Sequence, residues 1–217
     1  MKQFAVIGCG RFGSAVAKTL HKRGNDVLAI DEKESALQAI SPYVTHSICL
    51  DIKDERQLRE AGLRNIDIAI VAIGSDIKAS IMATLLVKEI GVPYVVAKAL
   101  DELHAKMLQK TGADRVVFPE RDMALRLAHS LISDNILDYI ELSPEYSIIE
   151  VVAPDKWIGQ SLKKINVRSK FGLSILAIKQ GDKINVSPDA EVTVHQSDVL
   201  VVLGTNTDLQ KIQLHKG

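Results

Sequence analysis

An apolar run, Phe4-Ala-Val-Ile7, leads directly into Gly8-Cys-Gly-Arg-Phe-Gly13, so three glycines spaced Gly-x-Gly-x-x-Gly stand between strand-like and helix-like residues. In that setting the first glycine permits a tight turn and the second lets backbone approach a pyrophosphate. The third lets the next helix pack against the strand. The helix N-terminus then presents unpaired N–H groups to an anion. The spacing alone is weak evidence, and its context strengthens it. A helix-like stretch, Ser14–Lys22, follows, and Gly24-Asn25 stops it. A second apolar run, Val27-Leu-Ala-Ile30, ends in Asp31, where a dinucleotide-binding unit places the acid that binds a ribose.

The alternation continues as far as Phe118. Strand-like runs are expected at Phe4–Ile7, Val27–Ile30, Ser47–Leu50, Ile68–Ile73, Tyr94–Ala97 and Val116–Phe118. Helical patterns lie between them at Ser14–Lys22, Glu32–Ile40, Glu55–Ala61, Ile77–Ile90 and Glu102–Lys110. Repeated βαβ units predict an α/β, Rossmann-like doubly wound parallel sheet with strand order 3-2-1-4-5-6. Gly24, Gly62, Gly91 and Gly112 each close a helical stretch just before a strand, in agreement with this reading.

Beyond Pro119-Glu-Arg-Asp122 a helix-like run covers Met123–Ile132, and then the character of the chain changes. Residues 136–145 read as a mixed connector. Strand-like runs follow at Ile148–Val152, Ser174–Ile178, Lys183–Val186 and Val199–Leu203, with turns at Gln180-Gly-Asp182 and Gln196-Ser-Asp198. Only Ile158–Lys164 and Asp208–Leu214 look helical there. The expectation is a nucleotide-binding domain over 1–135, a connector over 136–145 and a smaller α+β domain over 146–217.

With 217 residues, the chain can bury a proper core. Its 27 basic and 27 acidic residues balance, so no field draws it to nucleic acid or to an anionic membrane surface. Lys2, the apolar run after it and Ala15-Val16-Ala17 imitate a secretory signal. Arg11 and three glycines interrupt that run, which reads as strand and loop. No apolar stretch approaches the ~20 residues that span a bilayer; the longest, Ile68–Ile73, reads as a buried strand, and the chain is expected to be soluble. Cys9 and Cys49 lie at strand ends without metal-like spacing, which suits reduced thiols in the cytosol. Cys9 reads as a small filler between glycines and is given no redox role.

Ligands of an open parallel sheet bind outside the carboxyl ends of the strands. The candidates there are Gly8, Cys9, Gly10, Arg11, Phe12 and Gly13 in the loop after the first strand. Asp31 with Glu32, and Asp51 with Ile52, follow the second and third strands. Ala72, Ile73 and Gly74, then Lys98, then Glu120 follow the remaining three. Asp31 would accept hydrogen bonds from ribose 2′- and 3′-hydroxyls and repel a 2′-phosphate, which favours NAD or ATP/ADP over NADP. Asp51 fits equally well as a border to an adenine and as a helix N-cap. Arg11 suits bidentate contact with a polyphosphate, its own or a neighbouring subunit's; its other reading is a solvated loop cation. Glu120 could hold a cation that neutralises phosphate charge, or simply start a helix. Lys98, Asp101 and His104 are weighed as proton-transfer groups beside a nicotinamide, and His104, one turn after Asp101, reads as a surface residue. His21, His46, His129, His195 and His215 show no ligand spacing.

Taken together, Gly8–Gly13, Val71-Ala-Ile-Gly74, Gly112-Ala-Asp-Arg115, Pro119-Glu-Arg-Asp-Met123 and Leu137-Asp-Tyr-Ile-Glu-Leu142 resemble the RCK (KTN/TrkA) family. Within it, the chain is similar to the cytosolic gating-ring subunits of bacterial Ktr potassium transporters. Asn166-Val-Arg-Ser-Lys-Phe-Gly172 extends the resemblance into the second domain, which is similar to the RCK C-terminal (TrkA-C) module. The resemblance implies an octameric ring of dimers, cytoplasmic and docked beneath a membrane-embedded potassium transporter subunit. It implies ATP activating and ADP inactivating in the Rossmann crevice, with NAD(H) in some members, and no catalysis. Arg11 matches the arginine that reaches the terminal phosphate in the adjacent subunit. Glu120 matches an acid linked to a cation (Mg2+, Ca2+ or Na+) beside that phosphate. The second domain would take cyclic di-AMP at its dimer interface through Ile165, Arg168, Ser174, Ile175 and Pro188. Two departures stand out: Leu50 precedes Asp51 where many relatives have glycine, and Ser174 stands where close relatives often carry asparagine.

Two other classes fit the phosphate loop. An NAD-dependent oxidoreductase needs an acid/base from a substrate domain, and the C-terminal part offers only His195 and His215. A redox-sensing transcription regulator needs a basic recognition helix, for which the scattered Lys and Arg give no support.

Overall fold

Runs that are apolar at both odd and even positions bury all their side chains only in a sheet covered on both faces. The computed structural model, which describes residues 2–132 and 136–213, shows such a sheet in the first of two units that divide after Pro119. Its strands are β1 (Gln3–Ile7), β2 (Asp26–Asp31), β3 (His46–Cys49), β4 (Ile68–Val71), β5 (Tyr94–Lys98) and β6 (Arg115–Val117). All pair in parallel in the expected order β3-β2-β1-β4-β5-β6. The helices between them are α1 (Arg11–Lys22), α2 (Glu34–Ile40), α3 (Glu55–Glu60), α4 (Ile77–Ile90) and α5 (Glu102–Lys110).

Alternation along β1 feeds two separate cores. Ala5 and Ile7 join Leu58, Leu86 and Leu108 of α3, α4 and α5, whereas Phe4 and Val6 join Ala17, Leu37 and Ile40 of α1 and α2. Helices α3, α4 and α5 start on the acids Asp54, Asp76 and Asp101, each accepting backbone N–H groups of its first turn. Helix α4 ends at Gly91, whose φ of 103° suits a residue without a β-carbon.

The second unit holds an antiparallel sheet of β7 (Ile136–Glu141), β8 (Tyr146–Val152), β9 (Ser174–Gln180), β10 (Lys183–Val186) and β11 (Val199–Thr205), in the order β10-β9-β11-β8-β7. Its core gathers Ile149, Val151, Trp157, Leu173, Ile178, Leu200 and Val202. Helices α7 (Leu162–Ile165), α8 (Val167–Phe171) and α9 (Asn206–Gln213) pack residues into it, and α6 (Pro119–Ile132) meets β7 through Arg126 with Asp138 and His129 with Tyr139.

Four local expectations are revised. Residues 136–141, read as connector, form β7; the register shifts between Ile136 and Asp138, and that irregularity hides the alternation in the sequence. The expected helix Ile158–Lys164 is cut by Gly159, at φ 75°, and its remnant α7 starts on Ser161 and stops at Asn166, at φ 52°. Helix α6 begins at Pro119 rather than Met123, with proline at a position that needs no N–H donor. Strand β4 stops at Val71, leaving Ala72-Ile73-Gly74 as loop. Residues 133–135 and 214–217, which include His215 and the expected end of the tail helix at Leu214, lie outside the described residues.

Candidate functional site

The loop after β1 is shaped by what its glycines exclude. A β-carbon on Gly13 would fall 1.9 Å from the Gly8 carbonyl oxygen, so only glycine lets α1 start this close to the strand. At Gly8, φ is 94° and a β-carbon would meet the Ala72 and Ile73 backbone at 3.1 Å. Gly10 has open space where its β-carbon would be, which leaves its backbone accessible to a ligand. Gly10 is the N-cap of α1, with no side-chain cap and no acid in the first turn. The first N–H groups of α1 are thus left without the carboxylates that serve α3, α4 and α5, an arrangement suited to an anion.

Asp31 ends β2 and is 9% exposed. Its Oδ2 accepts the Cys9 amide at 2.6 Å and its Oδ1 accepts the Lys33 amide at 2.8 Å. The carboxylate therefore braces the glycine loop after β1 and the start of α2 together, while its remaining lone pairs are available to hydroxyls. Burial, and then the neighbouring Asp31 charge, push the Cys9 thiol up to about 12. Cys9 stays a neutral thiol at physiological pH and acts as a filler, as its position suggested.

Nine of the sequence-predicted residues line one crevice of about 180 Å³: Gly8, Cys9 and Gly10, Asp31 and Glu32, Ile52, and Ala72, Ile73 and Gly74. Lys98, at the end of β5, is 8% exposed, and a β-carbon on Gly74 would lie 3.1 Å from its Nζ. Its ammonium also stands 5.9 Å from the centre of the Phe12 ring. Arg11 is exposed at the first position of α1. Glu120 belongs to the second unit, in the first turn of α6. Among the described residues no three His, Cys, Asp or Glu side chains converge as a metal cage.

Two expectations about neighbours of the crevice change. Asp51 is not a helix N-cap: its Oδ1 accepts the Lys53 amide at 3.0 Å, and Asp54 caps α3 instead. His104 is not a surface residue but 1% exposed, because α5 turns it inward. Its Nδ1 accepts the Leu100 amide at 3.3 Å, and burial lowers its pKa. A sealed imidazole of that kind has no path for trading protons with a substrate.

Sequence reasoning missed Lys33, Ser75 and Asp76, which also line the crevice, and Lys53, which pairs with Asp76 at 2.8 Å. The pair ties the loop after β3 to the loop after β4, raising the lysine pKa and lowering that of the aspartate through their shared hydrogen bond. Asp76, three residues before Ala79 at a helix start, carried a readable N-cap signal. Lys53 carried none, because its partner is distant in sequence.

In the second unit Ile165 is buried at the end of α7, Arg168 is exposed on α8, and Ser174 and Ile175 open β9, half-buried. Pro188, also half-buried, follows β10. No helix among the described residues is long and apolar enough to cross a membrane.

Residues 4–119 match the family model of the TrkA-N domain, and residues 146–216 that of the TrkA-C domain. The chain is 45% identical to Ktr system potassium uptake protein C of Bacillus subtilis (strain 168), over 98% of this chain and 96% of that protein. It is 37% identical to Ktr system potassium uptake protein A of Vibrio alginolyticus, over 96% and 94%. Among solved structures, the RCK domain of GsuK is similar at 25% identity and a TM-score of 0.53, covering 97% of this chain and 45% of that one. The GsuK channel bound to NAD shares the fold at 16% identity and a TM-score of 0.65, covering 96% and 38%. Two matched domains in tandem and full-length similarity to uptake proteins join the parallel sheet and its glycine-lined crevice in one conclusion: the chain belongs to the RCK (TrkA) family, alongside the Ktr system potassium uptake proteins.

Proposed function

We propose that this protein is a nucleotide-binding regulatory subunit that controls potassium uptake through a membrane-embedded partner, with ATP favouring the active state and ADP the inactive one. The observation that carries this reading is the crevice: glycine backbone that admits a polyphosphate, an uncapped helix N-terminus, and Asp31 at its ribose end. Arg11, exposed at the head of α1, is suited to the terminal phosphate of a neighbouring subunit's nucleotide, with a cation near Glu120 completed by phosphate oxygens. NAD(H) is a further occupant compatible with the Asp31 carboxylate. Arg168, Ser174, Ile175 and Pro188, with Ile165 supporting them from the core, would form a cyclic di-AMP site in the second unit.

Assembly is supported by unpartnered apolar faces on both units. On α6, Met123, Leu127 and Leu131 recur every four residues and are 59%, 56% and 74% exposed. On α5, Leu103 and Met107 repeat that spacing, and Ile77 and Leu85 of α4 are exposed as well. Two separate sticky faces allow a chain to meet two different neighbours, as an octameric ring of dimers requires.

Regulation needs no chemical step. A nucleotide shifts a ring between states only by binding one of them better, and a γ-phosphate contact made across subunits supplies that difference. A coupling of roughly 1–3 kcal/mol per site, repeated around a ring, is sufficient to bias a gate. The test is potassium flux through the co-reconstituted membrane partner with ATP against ADP. Faster flux with ATP is expected, and equal flux in both overturns the reading.

A further inference from the structure

The turn that leads from β5 into α5 is held by an unusual acceptor. Ala99 donates its amide to the Val117 carbonyl at 2.9 Å, which is an ordinary continuation of the sheet. Leu100, the next residue, donates to a side chain, the Nδ1 of His104 at 3.3 Å. The His104 amide in turn donates to the Asp101 carboxylate at 2.7 Å, so one residue ties the turn through both its ring and its backbone.

This arrangement carries a cost that packing alone does not require. A ring nitrogen that accepts from an amide is unprotonated, so the proton of the neutral imidazole sits on Nε2. That Nε2 is buried without a hydrogen-bond partner among the described residues. A leucine in the same place would fill space with no stranded donor. The turn itself leads to the crevice. A β-carbon on Gly74 would lie 3.1 Å from Lys98 Nζ and 3.8 Å from Leu100 Cδ2, so the ammonium and the leucine both stand beside the loop after β4. Lys98 is buried to 8% exposure and is the last residue of β5, so the turn begins directly after it.

We propose that His104 is a positioning residue for Lys98, its ring fixing the Lys98–Leu100 turn so that the ammonium faces the phosphate end of the crevice. The inference rests on the crevice being a nucleotide site. Replacing the ring by a group without an acceptor frees the Leu100 amide, loosens the turn and costs phosphate affinity. Replacing it by asparagine, whose Oδ1 can stand near the Nδ1 position, keeps the acceptor.

Calorimetric titration of the full-length protein with ADP tests this. Lys98→Met is expected to weaken binding about tenfold, on the scale of one charge-assisted contact. His104→Leu is expected to weaken it about fivefold, the scale of one hydrogen bond, with His104→Asn restoring most of the loss. The double variant His104→Leu/Lys98→Met should bind no more weakly than Lys98→Met, because the histidine acts only through the lysine. Multiplying effects in the double variant, or unchanged affinity in folded His104→Leu while Lys98→Met is impaired, overturns the proposal and leaves the nucleotide site standing. Unchanged affinity in Lys98→Met overturns it through the lysine, and failure of the native protein to bind ADP removes the site and the proposal together. Should His104→Leu not fold, the native protein serves: exchange of the Leu100 amide slows when ADP saturates the site, and a rate indifferent to ADP overturns the proposal.

Discussion

The Cys9 amide donates to the Asp31 carboxylate at 2.6 Å, joining the loop after β1 to the end of β2. One acid therefore braces the loop after β1 and the start of α2, and in the proposed site its remaining lone pairs would accept from ribose hydroxyls. Asp31→Asn keeps the shape and removes the charge. Hydrogen bonds to charged groups contribute about 1.5–3 kcal/mol, so ADP affinity should fall roughly ten- to hundredfold. Titration calorimetry checks this, and native-like affinity would contradict the assignment of Asp31.

The second and third glycines of the loop, Gly10 and Gly13, should respond differently to alanine. Gly13→Ala drives a β-carbon to 1.9 Å from the Gly8 oxygen, and the strain should lower stability by about 1–3 kcal/mol. Gly10→Ala meets nothing within 4 Å, so the melting temperature should hold while ADP affinity drops as the methyl group blocks the approach of phosphate. A melting curve and a titration on each variant separate the packing role from the binding role.

Acid should destabilise the protein through His104. Burial lowers its folded-state pKa, so on acidification the unfolded chain, near its ordinary value of about 6.5, takes up the proton first. The contribution is fully present above that value and declines as pH falls through it toward the folded-state pKa. Asp54, Asp76, Asp114, Asp138 and Asp208 have lowered values, so their losses begin only near the ordinary carboxylate range of about 4. Urea midpoints at pH 7.5 and 5.5 should therefore differ in the native protein, and the difference should shrink in His104→Asn.

The exposed stripe of α6 should matter for assembly more than for folding. Leu127→Glu places a charge in the middle of Met123, Leu127 and Leu131, where a partner surface would have to bury it. Light scattering after size exclusion should show a smaller assembly than that of the native protein, with far-ultraviolet circular dichroism unchanged. An unaltered mass would remove α6 from the interface.

Much of this was legible in the residues because it is local. Helix and strand periods, the glycines that end helices and the acid after the second apolar run are short-range patterns, and they set the parallel order of β1 to β6 and the place of Gly8, Gly13 and Asp31. The second unit was less legible: an irregular register in β7 and the left-handed residues Gly159 and Asn166 break the periods that reveal elements.

Sequence by itself determined the α/β class and, through its repeated βαβ units, the strand order, and it marked the glycine loop after β1, since each rests on short-range periods and turn residues. Tertiary structure alone decided that His104 turns inward beneath Leu100 and that Lys53 reaches Asp76. It also decided that Asp31 grips Cys9. Such contacts join residues that only the folded sheet brings within a hydrogen bond's length, and a one-dimensional pattern does not encode which distant groups the carboxyl ends of its strands will gather.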